Sequence, residues 1–125
     1  MAGNPQAVIR SATLAEVLPL LRLAAGDDVQ QLGLETILKG CEFFILEGSQ
    51  DRLAFALTGQ GSELWIQAAG GTGNMNLTRL IIKSAEQLAK GTHTSVGFQT
   101  RRRGLVKKAQ ALGYEIDGYI MRKKL

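Results

Sequence analysis

The period of the apolar positions changes several times along the chain, and each change predicts an element. Gln6 to Ser11 is short and rich in β-formers, which predicts a first strand. Thr13-Leu14-Ala15-Glu16 has capping-box spacing: Thr13 can accept from the first-turn N–H groups and Glu16 can reach back. Leu14, Val17, Leu18 and Leu21 then recur three and four apart, which is one face of a helix. Pro19 removes a hydrogen bond from that helix and predicts a kink or an early end. Asp28-Val29-Gln30-Gln31 reads as a second cap, with Leu34, Ile37 and Leu38 continuing a second helix that Gly40 closes in a left-handed turn.

The pattern then switches to strands. Glu42-Phe43-Phe44-Ile45-Leu46 reads as a nearly fully buried strand, and Glu47 to Asp51 turns the chain. Leu53, Phe55 and Leu57 alternate with Ala54 and Ala56, a period of two with one large and one small face. Gly59-Gln60-Gly61-Ser62 turns again and Leu64 to Ala69 forms a third antiparallel strand of this meander. After a glycine-rich stretch, Leu77, Leu80, Ile81, Ala85 and Leu88 make an apolar stripe, with Arg79, Lys83 and Glu86 elsewhere, on a helix reaching about Lys90. Gly91 ends it, and Thr94 to Thr100 is a strand. A helix from Arg101 or Arg102 turns Leu105, Ala109 and Leu112 inward and is capped by Gly113. Tyr114 to Met121 predicts a last strand bent at Gly118. The predicted order is β-α-α-β-β-β-α-β-α-β: an α+β fold in which helices flank a mixed central sheet.

A chain of 125 residues fits one domain, 1–125, with a real core. With one cysteine, Cys41, and one histidine, His93, it offers neither an internal disulfide nor a zinc ligand set. Apolar runs end well short of a membrane span and the N-terminus has no signal-peptide architecture, so a cytoplasmic protein is expected. Charge is unevenly placed. Residues 1–100 carry a net −2 and residues 101–125 a net +6, so any use of basic charge falls at the C-terminal end.

The stretch Gly70-Gly71-Thr72-Gly73-Asn74-Met75 lies between the predicted strand ending Ile66-Gln67-Ala68-Ala69 and the helix after it. A strand, a glycine turn and a helix start gather free N–H groups and a positive helix-dipole end at one point, which suits a phosphate. A tight connection with no ligand is the alternative. Gly71-x-Gly73 lacks the third glycine of a dinucleotide fingerprint, and no Gly-Lys-Ser/Thr of a P-loop is present. Cys41 reads as a small hydrophobe, Trp65 as core, and Tyr114 and Tyr119 as core aromatics with a bonded hydroxyl.

The order of elements resembles the GNAT (GCN5-related N-acetyltransferase) fold over essentially the whole chain. Its most family-like part is Lys107-Lys108-Ala109-Gln110-Ala111-Leu112-Gly113-Tyr114, followed by Gly118-Tyr119-Ile120-Met121-Arg122-Lys123. It is also similar to short GNAT-like proteins of phages and prophages. The resemblance implies acetyl-CoA or CoA lying between splayed fourth and fifth strands. Pantetheine would pair with the backbone of the fourth strand, and pyrophosphate would sit on the glycine loop. Carried onto this chain, the cofactor-binding residues are Ile66, Gln67, Ala68, Gly70, Gly71, Thr72, Gly73, Asn74 and Met75. The acceptor would be an amine, on a small molecule or a protein. The family's tyrosine general acid falls at Ala109, which cannot donate a proton, and its strand-four glutamate has only Glu63 nearby.

Three readings follow. The first is an acyl-CoA-binding, GNAT-like protein that transfers acetyl to an amine. The second is a catalytically silent GNAT-like binding or assembly module, in a host cytoplasm or a phage particle. The third is an anion or nucleic-acid binder acting through Arg101, Arg102, Arg103, Lys107 and Lys108, whose alternative is a solvated helix face.

Overall fold

In the computed structural model, the described residues are 8–23, 34–48, 51–72, 77–100 and 102–125. In order they form β1 (Val8–Ala12), α1 (Leu14–Leu23), a short α2 (Leu34–Ile37), β2 (Glu42–Glu47), β3 (Arg52–Gln60) and β4 (Glu63–Thr72). These are followed by α3 (Leu77–Ala89), β5 (Ser95–Phe98) and α4 (Arg103–Ala111). The five strands make one mixed sheet in the order β1-β2-β3-β4-β5, antiparallel except for the parallel β4–β5 pair. The molecule is α+β. No helix among the described residues is long and apolar enough to cross a membrane.

The two-sided pattern of β3 organises the core. Leu53, Phe55 and Leu57 pack on one face with Leu64, Ile66 and the α3 residues Ala85 and Ala89. Ala54 and Ala56 turn to the other face, where Val17, Leu20 and Leu21 of α1 pack with Leu38 and Ile45. Small residues on that side let α1 lie close to the sheet, while large ones on the other fill the space under α3. The buried line of α3 is Ile82, Ala85 and Ala89, with Leu80, Ile81 and Leu88 only partly covered. Ile82, absent from the expected stripe, is buried where α3 meets the pocket described below.

Turn chemistry follows the glycines. Gly40, Gly61, Gly91 and Gly113 all have positive φ, which an L side chain would resist. The β3–β4 connection is tighter than expected: the strands run on to Gln60 and Glu63, leaving Gly61-Ser62 as the turn. The capping box at the start of α1 is formed. Glu16 Oε1 accepts from the Thr13 N–H at 3.0 Å, and the Glu16 N–H donates to Thr13 Oγ1 at 3.3 Å. The Glu16 carboxylate also takes Arg10 Nη1 at 2.9 Å, and Arg10 Nε reaches Glu47 at 3.0 Å, tying β1 to α1 and β2. The helix accommodates Pro19 without ending there. The cap expected at Asp28 to Gln31 lies outside the described residues, as do Gln6 and Ala7 of the expected first strand.

The bond from the Thr13 backbone, and then those from Arg10, hold the Glu16 carboxyl below its usual range. A depressed folded value means that its stabilisation is present above the ordinary carboxylate range, near pH ~4.3, and is lost as pH falls through the folded value. Thermal melts should therefore show a deficit for Glu16→Gln at neutral pH that shrinks toward pH ~2. Thr13→Ala should cost about 1 kcal/mol in urea unfolding at neutral pH.

Two expectations are corrected. Tyr114 to Met121 does not form a strand: from Tyr114 onward the chain has no regular structure, and the expected core aromatic Tyr119 is 88% exposed. An alternating sequence becomes a strand only where a neighbour takes its backbone groups, and among the described residues no strand pairs with this segment. The second correction concerns Gly70, Gly71 and Thr72, which continue β4 instead of turning away from it. Both are explained by pairing, present in one case and missing in the other.

Candidate functional site

The β4–β5 ladder is short. It runs Glu63↔Ser95, Leu64↔Val96, Trp65↔Gly97 and Ile66↔Phe98, and there β5 ends. β4 continues to Thr72, and among the described residues its strand partner there is β3 alone, from Ala56↔Ala68 to Arg52↔Thr72. At the point of parting, the β3 register steps from Leu57↔Ile66 to Ala56↔Ala68, so Gln67 is an extra residue in β4. A bulge of this kind bends its strand and increases its twist. It falls at the residue directly after the last β4–β5 pair, Ile66↔Phe98.

The resulting opening is a pocket of about 400 Å³, within the range of small-molecule sites. Ile66, Ala68, Ala69, Gly70 and Gly71 of β4 form one wall. Phe98, Gln99 and Thr100 form the facing wall, Thr78, Ile81 and Ile82 of α3 lie over it, and Leu23, Arg102 and Leu105 complete the lining. Leu23 belongs to the helix on one face of the sheet and Ile81 to the helix on the other, so the opening passes between the two layers.

Its polar groups favour an anion. Thr78 lies in the first turn of α3 and Arg102 is the N-cap of α4, so the positive ends of two helices border the pocket. Thr100 Oγ1 accepts from the Arg102 N–H at 3.1 Å, fixing the entry to α4. None of the fourteen lining residues is an acid, a histidine, a cysteine or a tyrosine, so among the described residues the pocket holds no proton donor or acceptor that titrates near neutrality.

The expected site residues divide accordingly. Ile66, Ala68, Gly70 and Gly71 line the pocket, while Gln67 forms the bulge and Thr72 stands exposed at the end of β4. Gly73, Asn74 and Met75 lie outside the described residues, as does Arg101. Of the basic cluster, Arg102 borders the pocket, and Arg103, Lys107 and Lys108 are exposed on α4. Glu63 sits at the closed end of the ladder, where it accepts from Ser95 Oγ at 3.1 Å; neither residue lines the opening. Trp65 is half-buried over Gly97, where any Cβ would stand 2.9 Å from its ring. Cys41 packs at the edge of the α1-side core, and that burial raises its thiol pKa. Tyr114 has the expected role: its hydroxyl donates to Glu86 at 2.8 Å and its ring lies 5.7 Å from that of Phe98. Burial and that carboxylate push its pKa up.

Sequence reasoning missed Phe98, Gln99, Thr100, Thr78, Leu105 and Leu23 as pocket residues. Only the apolar period of the last helix hinted at Leu105; Leu23 falls off the Leu14, Val17, Leu18, Leu21 stripe, and nothing in the residue types marks the bulge at Gln67. Ala109 is 4% exposed and is not among the lining residues. A tyrosine there meets packed side chains, so Ala109→Tyr should lose about 1–3 kcal/mol in chemical denaturation, with no new acid at the pocket. No protein-family model matches the chain, and no curated protein matches it.

Proposed function

We propose that the chain is a GNAT-like protein that binds an acyl-CoA thioester, with CoA or acetyl-CoA in the opening between β4 and β5. The observation that carries this reading is the bulge at Gln67 coinciding with the end of the parallel ladder at Ile66↔Phe98. Beyond it, β4 has no strand partner on the β5 side among the described residues, an edge that would suit an extended amide chain such as pantetheine. Two helix N-termini and Arg102 favour the pyrophosphate end. Gly73, Asn74 and Met75, next in the sequence, belong to the proposed cofactor-binding set through the resemblance alone.

The chemistry of the lining bears on turnover. Polarisation of a thioester carbonyl by strand backbone needs no side chain, but protonating the departing thiolate does. With Ala109 buried and no lining acid among the described residues, thioester binding is the primary activity. Transfer to a neutral amine, on a small molecule or a protein, is slow by the hundred- to ten-thousand-fold that general acid catalysis is typically worth, in order of magnitude. A module of this kind would serve in a host cytoplasm or in a phage assembly.

Calorimetric titration with CoA, acetyl-CoA and pantetheine tests the reading. CoA and acetyl-CoA should bind, and Arg102→Ala should weaken both about 5- to 10-fold while leaving pantetheine unchanged, as loss of one charge-assisted contact would. An absence of heat and thermal shift at millimolar ligand would sink the proposal. Affinity for short nucleic acids that falls steeply with salt, with none for CoA, would instead favour the basic face of α4.

A further inference from the structure

We infer that the opening between β4 and β5 takes an amphipathic anion, with a charged head at its rim and an unbranched acyl chain, several carbons longer than acetyl, inside it. This rests on the proposal above that the opening holds the ligand, and it names the acyl group. The lining sorts in the same order along each segment that contributes to it. On α3, Thr78 stands in the first turn, and Ile81 and Ile82 one turn further in on the same face. On α4, Arg102 is the N-cap and Leu105 follows one turn later. From Thr100 the chain leads back through Gln99 to Phe98, where β5 ends. On β4, Gly71 and Gly70 lead back to Ile66, its last residue paired with β5. Polar side chains and bare backbone make the rim, and isoleucine, leucine and phenylalanine make the interior.

A small anion such as inorganic phosphate would meet only the rim. Within, Ile66 and Ile82 are 8% and 2% exposed, and a space walled this way favours an apolar occupant over water. No lining residue is an acid, so nothing there repels an anionic head. Leu23 carries the apolar path to the other face of the sheet. It closes α1 and lines the opening, yet it is 61% exposed, whereas Leu20 and Leu21 of the same helix are 8% and 2%. An acetyl group would end against Ile66 and Phe98 and leave Leu23 bare. A longer chain continuing through the opening would cover it and remove that apolar surface from water. An acyl-CoA thioester and a free fatty-acid anion both carry this chemistry.

Calorimetric titration of the full chain with acetyl-CoA, octanoyl-CoA and octanoate tests the inference. Each further buried methylene is worth roughly fourfold in affinity, so octanoyl-CoA should bind about 30-fold tighter than acetyl-CoA, or better. Leu23 is exposed, so Leu23→Ser should fold as the parent does and reduce that preference about 5- to 10-fold, while Leu23→Met retains it. Octanoate binding as tightly as octanoyl-CoA, with acetyl-CoA not binding, would support the inference with a free acid as the source and remove CoA from the opening. Octanoyl-CoA no tighter than acetyl-CoA, or a preference that a folded Leu23→Ser leaves intact, would overturn the inference and leave CoA binding standing. No binding of any of the three would overturn both.

Discussion

Gly71→Val is expected to cost about 3 kcal/mol or more, at the upper end of overpacking effects, and to lower the urea midpoint and the melting temperature accordingly. Gly71 sits near the end of β4 opposite Leu53. A Cβ placed there would stand 2.6 Å from Leu53 Cδ2 and 2.9 Å from Leu53 Cα, and closer still to the Arg52 carbonyl oxygen. A side-chain tip can swing away, but two of these atoms are β3 backbone, so relief requires the β3–β4 pair to part. Set against a total stability of roughly 5–15 kcal/mol, that loss is a large fraction. Gly71→Ala is the milder form of the same clash and should lose stability before it loses ligand. Urea unfolding and CoA titration of the alanine variant, run together, separate the two roles. A variant as stable as the parent but unable to bind would make Gly71 a ligand-cradling residue and not a packing one.

That clash also explains which parts of the molecule were legible in the sequence. Local rules were readable wherever both partners lie close in the chain. Thr13 and Glu16 form their capping box, Gly40, Gly91 and Gly113 take the left-handed conformation, and β3 sorts its large and small residues onto opposite faces. What could not be read was anything decided by a distant strand. Gly70-Gly71 looks like a turn because glycine usually permits one, yet here the absence of a side chain is required by the close approach of Leu53, eighteen residues earlier. Tyr114 to Met121 looks like a strand, and its own residues are consistent with one, but no strand among the described residues takes its backbone groups. The candidate site shows the same division. Ile66 and Ala68 were legible as strand residues and Gly70 and Gly71 as a glycine site, though one expected to turn, whereas Phe98, Gln99 and Thr100 join them at and beyond the end of a parallel pair. The bulge at Gln67 is a counting mismatch between β3 and β4, and neither strand carries it alone.

The largest loss expected from a single truncation is at Phe55. Its ring is fully buried, stacked 5.6 Å from Phe44, and it belongs to the core between the sheet and α3. Phe55→Ala should cost about 3–5 kcal/mol, the transfer term plus the cavity left behind, and lower the melting temperature by roughly 10–20 °C. Phe55 also pairs in register with Ala69, a wall residue of the pocket, so its packing bears on the site as well as the core. Melts of the variant with and without CoA therefore test both. A ligand that binds only the folded state at a hundred times its dissociation constant returns about 2.7 kcal/mol. An equal lift in the parent and in Phe55→Ala would mean that the β4 wall survives loss of the ring beneath it. A lift in the parent alone would mean that Phe55 holds Ala69 in its ligand-binding position. If CoA lifts neither, the anion-favouring opening between β4 and β5 takes some other occupant.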